Sequence, residues 1–449
     1  MVLIEQILSF IVLVGILVFI HELGHFLAAR WTGMRADVFA VGMGPRLVGW
    51  NKKTGFTFGK LPANLELEGH TDYRISAFPI GGYVKILGMV DESMDTDFAT
   101  RPPQPWEFRS KGTLAKTFVI SAGVIQNILL AIVLMFCLNY FGGKDYQNTT
   151  RIGVVTPNGL ADRAGFRTGD RIVSVNGTAV QYFDEVPRQI LAGGDEATVV
   201  VERNGTSVPL TVRTGADTGA AALDLVPEKS EINIVKVHDG SPGAAAGIKA
   251  GDRIATIDGL PVASVARAME LIKSHKDQDV RLTVIRGGGI TPITAHPGQD
   301  GLLNIELEQK YLGAMYHRSY SFTESIAAGW NEAWSFAGGT FEMIGKLITG
   351  HARLKDSVGG PLKIAVYAQR AASEGIPEFI KLMALLSMTL ACMNILPIPA
   401  LDGGHLVFII IEGIIRREVP MKLRMAVQQA GFVLLLIFMV FVLVNDFRG

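Results

Sequence analysis

The sequence predicts an α-helical polytopic membrane protein with four transmembrane helices and two inserted copies of an α+β unit. Three observations carry that prediction. Of 449 residues, 49% are apolar and 19% charged, and the mean hydropathy is +0.31, whereas soluble domains carry about 25% charged residues. The apolar residues are concentrated in four runs, and a fourteen-residue motif recurs between the second and third of them. Forty-two Lys and Arg balance 42 Asp and Glu, which argues against nucleic acid as a partner because no cation surplus exists to neutralise phosphates. Cys137 and Cys392 both lie in apolar runs, so no disulfide scaffold is expected.

A bilayer crossing takes about 20 apolar residues. The first run covers residues 7–29, with Ser9 the only polar residue before His21. It has no basic start and no small-residue cleavage site, so a retained helix is expected rather than a signal peptide. The second covers 118–141, the third 379–415 with an interruption at 394–404, and the fourth 430–444. Basic residues cluster after the first run (Arg30, Arg35, Arg46, Lys52, Lys53), before the second (Arg109, Lys111, Lys116) and between the last two (Arg416, Arg417, Lys422, Arg424). By the positive-inside rule, residues 31–113 and 416–425 are cytoplasmic, and both termini and residues 145–375 face the other side.

The outer segment is internally repeated. AGFRTGDRIVSVNG from Ala164 and AGIKAGDRIATIDG from Ala246 share seven of fourteen positions. Each copy is followed by a helix-like stretch and β-rich sequence, and the AGxxxGDxIxxxxG run resembles bacterial PDZ domains. After them Ile326, Trp330, Ala333, Trp334, Ala337, Phe341, Ile344 and Ile348 recur at helical spacing. Two tryptophans on that stripe suit a membrane interface, and packing against the repeats suits them equally.

The chemistry lies where lipid should be. The first run contains HELGH, residues 21–25. Four residues are close to one helical turn, so His21 and His25 share a face and can bind one metal ion, with Glu22 beside them to take a proton from an attacking water. A charge at mid-bilayer costs ~3 kcal/mol, and bound zinc returns ~10 kcal/mol or more, which favours a site over an idle polar cluster. Catalytic zinc takes three protein ligands. Ala28 and Trp31 stand where one protease class has Gly and a third His, and Glu66 and Glu68 lie in a loop rather than a helix. Asp402 is the better candidate. Pro397 and Pro399 break the third run, Gly403 and Gly404 let the chain turn, and irregular backbone at membrane depth must line protein or water. His405 is a rival ligand, though as a residue opening the next helix it more often belongs to the cap.

HELGH in the first span, NILPIPALDGGH in the third and a PDZ-like pair between the second and third together resemble the site-2 protease family over essentially the whole chain. The resemblance implies a zinc metalloendopeptidase with one zinc ion per chain held by His21, His25 and Asp402, with Glu22 as general base and Asn394 on the substrate backbone. VGMGP (Gly42, Gly44) and FPIGGYVK (Gly81, Gly82) resemble the family's membrane-associated β-hairpin, which implies substrate contact there. An unwound transmembrane segment needs such a strand to pair its exposed amides. The implied substrates are transmembrane segments of single-span proteins, such as a pre-trimmed anti-sigma factor or remnant signal peptides. The resemblance also implies an upstream protease that acts first on the outer side, and PDZ domains that control access. The implied location is the bacterial inner membrane, with termini and PDZ domains periplasmic and the active site near the cytoplasmic side.

The expected organisation is residues 1–31 as the first helix, 32–113 the cytoplasmic membrane-associated β region, 114–143 the second helix, and 146–226 and 227–312 the PDZ domains. Residues 318–375 form amphipathic or interfacial helices, 376–416 the third segment, and 417–449 the fourth helix with the C-terminus. Val124 replaces a proline the family usually has in its second span, which puts a local kink there in doubt. Two rivals stay open: a non-catalytic PDZ-bearing scaffold with a metal site, which has no use for charge in the bilayer, and a metal transporter, which needs more polar residues than the second and fourth spans carry.

Overall fold

The computed structural model describes residues 2–62, 65, 67–89, 101–155, 157–194, 196–214, 223–262, 264–350 and 359–448. The chain divides into two units, Met1–Gly143 with Ser319–Gly449, and Lys144–Arg318.

Among the described residues, the first unit contains four helices long and apolar enough to cross a membrane: Val2–Trp31, Thr113–Gly142, Ile376–Asn394 and Met421–Asp446. The second is unbroken α-helix from Thr113 to Cys137 and ends in a π-turn, so its helical pairing is uninterrupted where the family's proline is missing. Small residues bring the first two helices together: a Cβ on Gly24 would collide with the carbonyl of Ala122, so the backbones touch there. The third helix stops at Asn394, and after a turn a new helix runs from Asp402 to Ile415. The fourth is apolar nearly all round and leaves Phe432, Val433, Leu434 and Ile437 exposed, as a lipid-facing surface requires.

Helix Phe322–Ile348 starts at a capping box in which Ser321 and Glu324 bond reciprocally. The expected stripe divides between exposed and buried positions. Trp330, Trp334, Ile326 and Ile348 are exposed, and the buried face is Ser325, Gly329, Ala333 and Ala337. Gly329 lies against the backbone of Phe136, and Ala333 and Ala337 join Ala131, Met388 and Cys392 in one cluster. Small residues at i, i+4 and i+8 allow that close approach to the second and third spans.

Between the first two spans, β1 (Ala36–Asn51), β2 (Gly55–Phe58) and β3 (Asp72–Ile86) form one antiparallel sheet in which β1 and β3 fold back on themselves. Val38 pairs with Lys85 on one side and Asp72 on the other, while Gly49 pairs with Arg74 and with Thr57. The rungs therefore run 82–86, 36–41, 72–76, 46–51, 55–58, and residues 82–86 form an edge strand. Buried Arg46 holds the fold-back together, donating to Asp72 Oδ2 at 3.1 Å and to the carbonyls of Thr57 at 3.0 Å and Gly59 at 2.8 Å. Phe39, Val84 and Ile86 pack with Phe26, Val119 and Ile120 of the first two spans.

The second unit holds two separate apolar cores, one around Phe166, Ile172, Val186 and Val199 and one around Ile232, Ile254, Ala268 and Leu282. The repeated Gly-Asp does the same work in both. Asp170 caps its own turn by accepting from Arg167 N–H at 2.8 Å and receives Arg203 Nη2 at 2.7 Å. Asp252 accepts from Lys249 N–H at 2.9 Å and from Arg286 Nη2 at 2.7 Å. Each arginine also donates to the carbonyl of the motif's first glycine, Gly165 or Gly247. Strands Lys144–Gln147 and Met315–Arg318 pair antiparallel where this unit begins and ends.

Candidate metal centre

Helix periodicity puts His21 and His25 on the face of the first span that meets the second span, and both are buried. Their Nε2 atoms are 3.3 Å apart. The turn after the third span delivers Asp402 to the same point, its Oδ2 lying 3.2 Å from His21 Nε2 and 3.4 Å from His25 Nε2. That turn depends on its glycines, since a Cβ on Gly404 would come within 2.5 Å of the Ile398 carbonyl and one on Gly403 would meet that of Leu396. Among the described residues, His21, His25 and Asp402 are the group of three or more side chains able to hold a metal ion.

The donor set fits zinc. Bonds of about 2.0–2.1 Å in a tetrahedron place neighbouring donors about 3.3 Å apart, which is the spacing of these three atoms. His25 Nδ1 donates to the Val119 carbonyl at 2.8 Å, so its Nε2 presents a lone pair inward. Asp402 Oδ2 is buried with no hydrogen-bond partner among the described residues. A buried carboxylate oxygen beside two imidazole nitrogens needs positive charge next to it, which a metal ion held by all three would supply. His21 Nδ1 lies 3.1 Å from the side-chain amide of Asn127, whose Oδ1 is also buried without a partner. Turning that amide over lets Oδ1 accept from Nδ1–H and leaves His21 in the same metal-ready tautomer.

Glu22, Tyr83, Val84, Ile86, Leu401 and His405 line the same cavity as the three donors. Asn394 Nδ2 is 3.4 Å from His21 Nε2. His405, the rival ligand, lies outside the donor group and meets Gln428 instead, 3.0 Å away. Of the alternative carboxylates, Glu68 pairs with Lys53 and Glu66 falls outside the described residues. Gly82 packs on the helical turn that carries Glu22, where a Cβ would sit 2.8 Å from Val18 Cγ1 and 3.1 Å from Glu22 Cγ. Gly42, Gly44 and Gly81 are not in the cavity wall. They have φ of +85°, +86° and +75° and make the bends by which β1 and β3 fold back.

Sequence reasoning named the donors but missed part of their support. Gly123 has no side chain because the imidazoles occupy that space: a Cβ would lie 2.7 Å from His21 Cε1 and 2.8 Å from His21 Nε2, and closer still to His25 Nε2. No spacing rule flags such a position, because its partner is ~100 residues away in the chain and adjacent only after the helices pack.

Residues 9–438 match peptidase family M50. A provisionally named zinc metalloprotease of Neisseria meningitidis is 31% identical, over 98% of each chain. The regulator of sigma-E protease RseP of Escherichia coli is 29% identical over 98% of this chain and 97% of its own, and that of Salmonella typhimurium is 28% identical over 98% and 97%. With the donor triad in place and the likeness running nearly end to end, the chain belongs to peptidase family M50, the site-2 zinc metalloproteases.

Proposed function

We propose that this protein is an intramembrane endopeptidase that hydrolyses peptide bonds in the transmembrane segments of single-span membrane proteins. His21, His25 and Asp402 hold one zinc ion, Glu22 is the general base, and Asn394 is a substrate contact. The observation that carries the proposal is the sharing of one cavity by the donor triad, Glu22 and the edge strand 82–86. Bound zinc supplies Lewis acidity, which acidifies water and polarises a carbonyl.

The remaining steps belong to the chain. A transmembrane helix hides its carbonyls in i→i−4 bonds, so it must unwind before it can be cut. Residues 82–86 pair with β1 on one side only among the described residues, and the other edge can take an unwound segment as an added strand. Because Gly82 lies against the Glu22 turn, the added strand runs past the base. Gly42, Gly44 and Gly81 contribute by shaping the fold-back that presents this edge. Glu22 takes the proton of the attacking water and returns it to the leaving amine. The Asn394 amide is a donor for the carbonyl oxygen as it gains charge.

The two repeats in Lys144–Arg318 are read as PDZ domains that limit access to substrates already trimmed on the outer side. The bacterial relatives support placement in the inner membrane, and the Lys and Arg beside the spans favour periplasmic termini and repeats. The test is cleavage of a single-span substrate in detergent by wild type and Glu22→Gln. Loss of cleavage with zinc retained is expected. Equal cleavage by both removes Glu22 as the base, and zinc-loaded wild type that cuts nothing favours a scaffold.

A further inference from the structure

Of the three donors, Asp402 has the least regular support. Residues 395–401 join two helices without belonging to either, and Ala400 has φ +72°, a region that costs a residue with a Cβ about 1–2 kcal/mol. The fourth span holds this backbone in place. Gln428, only 8% exposed, accepts the Ala400 N–H on Oε1 at 2.7 Å, and its Nε2 donates to the His405 ring, 3.0 Å from Nε2. Those two partners bracket Asp402, one in the strained turn before it and one in the first turn of the helix it opens. At Gly431 a Cβ would come 2.6 Å from the Pro399 carbonyl oxygen and nearer still to the proline ring, so the turn lies directly on the fourth helix.

We propose that Gln428 is a positioning residue for the third metal ligand. By holding Ala400 and His405 together, it keeps Asp402 Oδ2 opposite the paired imidazoles. The inference rests on the metalloprotease reading above. It ties the fourth span, which supplies no ligand, to the metal centre through two hydrogen bonds.

The test compares two substitutions that keep the length and helix preference of glutamine. Gln428→Met removes both bonds, and Gln428→Glu keeps an oxygen for the Ala400 N–H. Zinc-loaded full-length protein in detergent is mixed with a chelator and zinc release is timed. The visible spectrum of the cobalt-substituted protein reports donor geometry. Gln428→Met is expected to release zinc about 10–100-fold faster than wild type with a shifted cobalt spectrum, while Gln428→Glu recovers most of the retention. That recovery also shows that the position tolerates substitution without unfolding. Release from Gln428→Met at the wild-type rate with an unshifted spectrum overturns the proposal, as do equally leaky Met and Glu variants. Wild type that holds no zinc overturns the metalloprotease reading and this inference with it.

Discussion

Gly123→Ala tests the site without touching a ligand. The added methyl would lie 2.8 Å from His21 Nε2 and closer to His25 Nε2, whereas carbon and nitrogen rest at about 3.5 Å or more. The imidazoles must therefore yield by at least about 0.7 Å, or the first two helices must part. The second route sacrifices the close packing of Gly24 on the Ala122 backbone one residue away. Metal sites tolerate donor displacements of only about 0.2 Å, so the shift exceeds what the site can absorb. Overpacking costs about 1–3 kcal/mol, which a multi-helix protein survives. The expected result is a folded protein with well under one zinc per chain and at least about 100-fold less cleavage. Zinc content by elemental analysis and cleavage of a single-span substrate measure the two. Wild-type values for both would show that the second span does not abut the imidazoles and would refute the packing on which the site is built.

Three further outcomes are expected. Asp402→Asn removes the only charged donor and should lose zinc on dialysis while the helical circular dichroism stays unchanged; full retention takes Asp402 out of the ligand set. Gly82→Val puts a branched side chain where a Cβ already lies 2.8 Å from the Ala40 carbonyl and Val18. It should retain zinc yet cut about tenfold more slowly or worse, and unaltered cleavage would show that the edge strand plays no part. In the second repeat, the Arg286 guanidinium holds the Asp252 carboxyl below the usual carboxylate range despite burial. A depressed folded pKa gives stability that is complete above the unfolded value of about 3.9 and lost as pH falls toward the lower folded value. Amide-exchange protection in residues 230–311 should therefore weaken from pH 5 to pH 3, and should weaken less in Asp252→Asn; identical wild-type protection at both pH values refutes the linkage.

What the sequence disclosed about the site follows from what a helix period and a desolvation cost can encode. His21, Glu22 and His25 are legible because four residues nearly close a turn. Asp402 is legible because a carboxylate in a broken apolar run has to be explained by a partner. The tryptophan stripe at 326–348 leaves two readings open for the same reason that those signals work. Hydrophobic periodicity finds the face that avoids water, and in a membrane lipid and protein both satisfy that condition. The face that packs is marked instead by Gly329, Ala333 and Ala337, whose small size lets backbones approach. The fold-back of β1 and β3 was illegible beyond its glycines, because register is decided by pairing across the sheet rather than along it.

The scarcity of polar residues in the second and fourth spans, which weighs against a transporter, has a further consequence. An amide in an apolar helix is costly unless it is paired, so each one that occurs there calls for a partner. Asn127, Asn139, Gln428 and Asn445 are buried there among the described residues, and two of these four reach the metal centre: Asn127 meets His21 Nδ1, and Gln428 brackets Asp402 through Ala400 and His405. The ligands lie on the first span and the turn after the third, while their supports lie on the second and fourth. All four spans thus converge on one site, and that convergence gives a physical reason for the second and fourth helices to carry Asn127 and Gln428.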